Sequence, residues 1–189
     1  AARQKLVDQI ASRYVRDTKV MPRPTLEQWV ALVGDLAGDV PAAARPEWAG
    51  VLRSAFTKDP AALAALKGEP FMRLCESLEA LGDETVPSLC VTYTTVSDGW
   101  KSLGPSRLAQ LAKRLSAAGG AAADTAKASV ADHVTATYIN AAEGPGIVDL
   151  GRWPALAGEL APAMSAETKA LWVQKLRQAY AADGAAQAK

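Results

Sequence analysis

Apolar residues along this chain recur three or four positions apart, in segments that are separated by Pro, Gly and Asp. Residues 3–16 place Leu6, Ile10 and Tyr14 on one side of a helix. Later segments with this spacing come in pairs joined by turns, which is typical of antiparallel helical hairpins. The pattern predicts an all-α fold in one domain over residues 1–189, with an N-terminal helix and about four stacked hairpins. The predicted hairpins span about 25–58, 70–102, 106–139 and 150–182, and a frayed tail spans 183–189.

Helix-start signals agree with these boundaries. Thr25 and Gln28 have the spacing of a capping box, in which Thr25 is the N-cap and Gln28 bonds back to it. Ser106 and Ser165 are predicted to cap one helix each in the last two hairpins.

Two segments are less regular. Residues 90–96 are rich in β-branched side chains, which favour a strand when taken alone, but their place within a hairpin predicts a helix. Residues 140–151 contain Gly144-Pro145-Gly146 and are predicted to be a loop.

One segment of the chain occurs twice. Residues 29–56 align with residues 153–180 without a gap. The identical pairs include Trp29/Trp153, Leu32/Leu156, Gly34/Gly158, Leu36/Leu160, Trp48/Trp172, Leu52/Leu176, Arg53/Arg177 and Ala55/Ala179. We interpret the segment as a repeated helical hairpin, with its tryptophans as core anchors.

The third hairpin fits the same scheme more weakly, because its apolar positions follow the repeat but its turn is predicted to be longer. On this interpretation Val130, Val134 and Tyr138 occupy the positions of Trp48, Leu52 and Phe56. Helix pairs at a spacing of about 40 residues resemble the HEAT and TPR class of helical repeats, over most of residues 25–180 and in architecture only. The resemblance implies stacked helix pairs that present an extended binding surface.

Composition and charge restrict the function classes. The chain has 21 basic and 20 acidic residues, which argues against a nucleic-acid-binding surface. No apolar run approaches the roughly 20 residues of a transmembrane helix. The chain starts with Ala-Ala and without Met, which favours an exported or periplasmic protein over a cytoplasmic one, although a trimmed chain would begin in the same way.

The two cysteines lie at similar distances from the turn of the second hairpin. Cys75 precedes the turn at Gly82 and Cys90 follows it, so an antiparallel hairpin brings them side by side. A disulfide bond would join the two helices and would suit an exported protein. Two buried thiols that pack as small apolar groups are the alternative.

The sequence shows no set of catalytic, metal-binding or cofactor-binding residues. His133 is the only histidine; it follows Asp132 but has no recurring carboxylate or serine partner, which argues against Ser-His-Asp or Cys-His catalysis. The glycine pairs lack the lysine and the strand of a phosphate-binding loop. We therefore expect a protein that is not an enzyme and that needs no cofactor or metal.

Arg53 and Arg177 recur at equivalent positions, three residues before Phe56 and Tyr180. Such an arginine can form a salt bridge within the fold, or it can lie on a binding face, because arginine and aromatic residues are common in interface hot spots. The sequence predicts a scaffold or interaction module for a protein or peptide, and a subunit of a larger assembly is a variant of this prediction. The alternatives are a carrier of small apolar ligands in a Trp-lined cavity and an enzyme whose site forms only in three dimensions.

Overall fold

The computed structural model describes residues 2–17, 23–140 and 150–187. Helices occupy most of these residues, and no β-strand occurs among them, so the predicted all-α fold is confirmed. The helices are α1 (Ala2–Ile10), α2 (Leu26–Leu36), α3 (Arg45–Thr57), α4 (Pro60–Ala64), α5 (Gly68–Ala80), α6 (Val86–Val96), α7 (Pro105–Ala118), α8 (Gly120–Val134), α9 (Trp153–Leu160) and α10 (Ala166–Gln187).

Two helices continue into a wider, π-helical turn. The turn after α1 spans Ala11–Arg16, and the turn after α8 spans Thr135–Ile139. Short 3₁₀ segments occur at Ala42–Ala44, Gly99–Ser102, Leu150–Arg152 and Ala161–Ala163.

The contacts group the chain into two compact units, where the sequence predicts a single domain. The first unit is Ala1–Ser102 and the second is Leu103–Lys189. In the first unit, α2 packs along α5, and α3 packs against α5 and the π-helical turn after α1. In the second unit, α7 packs against both α8 and α9, while α10 packs on the π-helical turn after α8.

Each unit has its own apolar core. Large side chains that are almost completely buried fill the first core: Trp29, Trp48, Leu52, Phe71, Leu74, Leu78 and Tyr93. The second core contains Leu108, Leu111, Leu115, Val130, Trp153, Leu156 and Trp172. Because alanine fills little volume, each core depends on large residues of this kind for its apolar burial.

Helix α6 forms despite its β-branched residues. Three of its threonines donate a hydrogen bond from the side-chain hydroxyl to the backbone carbonyl four residues earlier, at 2.8–3.1 Å: Thr92 to Ser88, Thr94 to Cys90 and Thr95 to Val91. These bonds satisfy the hydroxyls within the helix, and the burial of Tyr93 anchors it in the core. Tertiary packing thus outweighs the local strand preference, as predicted.

The predicted capping box is confirmed: the backbone N–H of Gln28 donates to Thr25 Oγ1, and the backbone N–H of Thr25 donates to Gln28 Oε1. Ser165 also accepts a hydrogen bond at the start of α10, from the Thr168 amide at 3.1 Å. The predicted cap at Ser106 is wrong, because α7 begins at Pro105, so that Ser106 lies within the helix and Gly104 is the N-cap.

Two further boundaries differ from the predictions. The turn of the third hairpin is short, since α7 ends at Ala118 and α8 begins at Gly120. Gly119 and Gly120 make this possible with φ angles of 65° and 81°, which residues with a side chain rarely adopt. Helix α10 continues to Gln187, into the predicted tail. Most of the predicted loop at 140–151 lies outside the described residues.

Candidate interaction site

The repeat is longer in the structure than in the sequence alignment. The ring of Tyr14 packs edge-on against Trp29, with 6.3 Å between ring centroids, and Tyr138 packs in the same way against Trp153, at 5.9 Å. Tyr14 and Tyr138 are as far apart along the chain as the two tryptophans are. Both tyrosines lie in π-helical turns, so each copy of the repeat includes the helix that precedes the hairpin.

The counterpart of α8 is therefore α1. The prediction that Tyr138 occupies the position of Phe56 is wrong, because Tyr138 contacts Trp153 as Tyr14 contacts Trp29. The sequence alone has a tyrosine at both equivalent positions, 14 and 138, and this match could have revealed the longer repeat. The segments that link each tyrosine to its tryptophan differ in sequence and hide the continuity of the repeat.

The four repeated tryptophans form one pair in each unit. Trp29 and Trp48 meet edge to face with ring centroids 6.3 Å apart, and Trp153 and Trp172 meet in the same way at 5.6 Å. All four side chains are buried. Each pair joins the two helices of its hairpin, so α3 and α10 are held at equivalent places relative to the tryptophans.

One hydrogen bond of the tryptophan pair is present only in the second copy. Trp172 Nε1 donates to Thr135 Oγ1 at 2.8 Å. Trp48 Nε1 is buried and has no hydrogen-bond partner in the described part of the chain. The position equivalent to Thr135 is Ala11, which has no hydroxyl. The missing side-chain oxygen explains the unsatisfied indole nitrogen in the first copy.

Arg53 binds the turn between α5 and α6. Its Nη1 donates to both carboxylate oxygens of Asp83, at 2.8 and 3.1 Å, and to Thr85 Oγ1 at 2.6 Å. Asp83 Oδ1 also accepts from the Thr85 amide at 2.9 Å. The Asp83 side chain is only 5% exposed, so the guanidinium supplies a positive partner for a nearly buried carboxylate.

This turn has a well-defined backbone. Gly82 has a φ of 76°, and the Asp83 amide donates to the Leu78 carbonyl at 2.9 Å, as in the Schellman motif that ends many helices. The α5–α6 turn, residues 81–85, thus presents Asp83 to α3 in one fixed geometry.

The α3 stripe consists of Arg45, Ala49, Arg53 and Phe56, which share one side of that helix. It is partly covered within the first unit, where Ala49 is buried and the other three residues are half-buried. Arg45 Nε donates to the Val40 carbonyl at 3.1 Å, and Ala49 is only 3% exposed. Ala49 and Arg53 line a small pocket of about 280 Å³ that is open to solvent, together with the α5–α6 turn.

The equivalent α10 stripe consists of Lys169, Val173, Arg177 and Tyr180, and all four residues are exposed. Val173 is 47% and Tyr180 is 44% exposed, the latter with its hydroxyl bonded to the Leu150 carbonyl at 2.7 Å. Neither cation of the stripe forms a salt bridge within the described ranges. The structure thus places the two predicted interaction residues differently: Arg53 is engaged within its unit, and Arg177 lies on an open helix face.

The two cysteines face each other in the first core. Cys75 on α5 and Cys90 on α6 are buried, and their Sγ atoms lie 3.8 Å apart. This is longer than the about 2 Å of a disulfide bond, so the structure contains two adjacent thiols. The predicted juxtaposition is present, and the predicted disulfide stays a prediction.

His133 and Tyr93, two further side chains with titratable groups, make their contacts within the fold. His133 Nδ1 lies 3.4 Å from Thr137 Oγ1, one turn away on the same helical segment. Burial raises the pKa of the Tyr93 hydroxyl, which donates to the Leu66 carbonyl at 2.9 Å while its ring stacks on Phe71. No group of three or more His, Cys, Asp or Glu side chains that could hold a metal ion occurs among the residues that the structure describes.

Comparison with known proteins gives no relative: no protein-family model matches the chain, and no curated protein or solved structure matches it either. None of the described helices has the length and apolar character needed to cross a membrane.

We predict that a hydroxyl at position 11 stabilises the first unit. Ala11→Thr gives Trp48 Nε1 the acceptor that Thr135 gives Trp172, and it should be more stable than Ala11→Val by about 1 kcal/mol. Valine is the control because it adds the same volume without the oxygen. Urea unfolding measures both variants, and equal stabilities would contradict the assigned equivalence of Ala11 and Thr135.

We also predict that a mild thiol oxidant joins Cys75 to Cys90. The product should lose two hydrogens by intact mass and unfold at a higher urea concentration, since closing a loop of this length stabilises by about 3 kcal/mol. The Cys90→Ala variant is the control and should show neither change. An unaltered mass after oxidation would refute the prediction.

Proposed function

We propose that this protein is a non-enzymatic interaction module that binds another protein through the α10 stripe. The observation that supports the proposal most directly is the contrast between the two copies of the repeat. On α3, Ala49 is buried and Arg53 is bonded to the α5–α6 turn, whereas the equivalent residues of α10, Val173 and Arg177, are exposed. A helix face whose counterpart serves as a packing surface is suited to packing against a partner.

The composition of the stripe supports the same conclusion. Arginine and tyrosine are enriched in interface hot spots, and Val173 adds apolar surface between Lys169 and Arg177. The hydroxyl of Tyr180 is held by the Leu150 carbonyl, which limits the side-chain entropy that binding would remove.

At the finer level of repeat class, we propose that the hairpins function as HEAT and TPR helix pairs do, by presenting a helix face to a protein or peptide. The support is architectural: a helix pair with a tryptophan contact occurs in both units, with the same residues at equivalent positions.

A pull-down from an extract of the source organism tests the proposal, with the wild-type chain and the Arg177→Glu variant as baits. We expect a protein partner that the wild type retains in a fixed ratio and that the variant loses, because the reversed charge repels what the guanidinium attracts.

Lys113→Glu is the matched control, since Lys113 is an exposed cation on α7 in the same unit and the variant changes the net charge equally. It should retain the partner. Equal retention by all three baits, or no retained protein, would contradict the proposal.

A further inference from the structure

We infer that the partner presents to the α10 stripe an acidic turn between two helices, of the kind that the α5–α6 turn presents to α3. The inference rests on the proposed function and specifies the chemistry of the partner. Its basis is that the chain contains both an occupied and an open copy of the same helix face.

The occupied copy shows what this face binds. Arg53 Nη1 contacts the Asp83 carboxylate at 2.8 Å and the Thr85 hydroxyl at 2.6 Å, in the turn where Gly82, with a positive φ, ends helix α5. Arg177 is the same residue at the same position of the repeat, and the same tryptophan contact holds its helix. A carboxylate beside a hydroxyl, at the end of a helix, therefore fits Arg177 by the geometry that Arg53 uses.

The open copy also has features that favour an acidic partner. Its stripe contains two cations, Lys169 and Arg177, and no carboxylate. Val173 and Tyr180 stand where the first copy has Ala49 and Phe56, so the open face offers more side-chain surface than the occupied one. A helical partner with a carboxylate at its turn would complement the charge and cover the apolar residues together.

The chain's own acidic turn is not available to a second copy. Asp83 is 5% exposed and bound to Arg53, so using it in another molecule would require opening the first unit. Because the turn that Arg53 uses is already occupied in every copy of the chain, we take the partner to be a different protein.

Photocrosslinking of the full chain tests the inference. p-Benzoylphenylalanine replaces Val173, at the centre of the stripe, and the crosslinked peptides from an extract of the source organism are identified by mass spectrometry. A second chain with the probe at Lys113 gives the background. We expect crosslinks specific to position 173, in a segment of one partner protein that joins two helices and contains Asp or Glu.

A charge swap on the purified pair then tests the contact itself. Arg177→Glu should weaken binding about tenfold or more, and changing the crosslinked partner's carboxylate to arginine should restore most of that loss. Rescue by the swap identifies an ion pair, because a variant that had only lost its fold would not regain binding when the partner's charge is reversed.

The remaining outcomes separate the two proposals. Specific crosslinks to a segment without a carboxylate, or a swap without rescue, would overturn the acidic-turn inference and leave the interaction module in place. Crosslinks between two copies of this chain would overturn the inference of a different protein. No crosslinks above the background would overturn both.

Discussion

The edge-to-face contact between two tryptophans is the interaction on which each copy of the repeat depends. Alanine-rich helices bury little apolar surface per residue, so a hairpin needs a few large side chains to fix its geometry. That contact is made by Trp29 with Trp48 in one hairpin and by Trp153 with Trp172 in the other. Such aromatic pairs contribute about 0.5–1.5 kcal/mol beyond the area that they bury, and they favour one orientation of the rings.

A fixed hairpin gives the arginine that follows the second tryptophan a fixed position as well. In the first unit, a later hairpin packs against this face and brings Asp83 to Arg53. In the second unit, Arg177 remains exposed along with its neighbours on the stripe. One repeated sequence thus has a structural role in one copy, and an open surface with the same chemistry in the other.

The sequence predicts the helices well because their signals are local: apolar spacing, the capping box at Thr25 and the glycines at the turns. It also brings Cys75 and Cys90 together, since both are similarly distant from one turn. The full length of the repeat is harder to recognise, because unlike segments separate Tyr14 and Tyr138 from their tryptophans. Only one of the two arginines finds a partner within the fold. Which one it is depends on the packing of helices that are distant in sequence, and no local sequence pattern indicates it.

The most direct test of this account compares Arg53→Ala with Arg177→Ala in equilibrium unfolding. Removing Arg53 leaves a nearly buried carboxylate without its cation, so we predict a loss of about 1–3 kcal/mol in the free energy of unfolding. Removing Arg177 from an exposed face should change that free energy by no more than about 0.5 kcal/mol. Equal losses in the two variants would contradict the account, because they would show that Arg177 also has a partner within the fold.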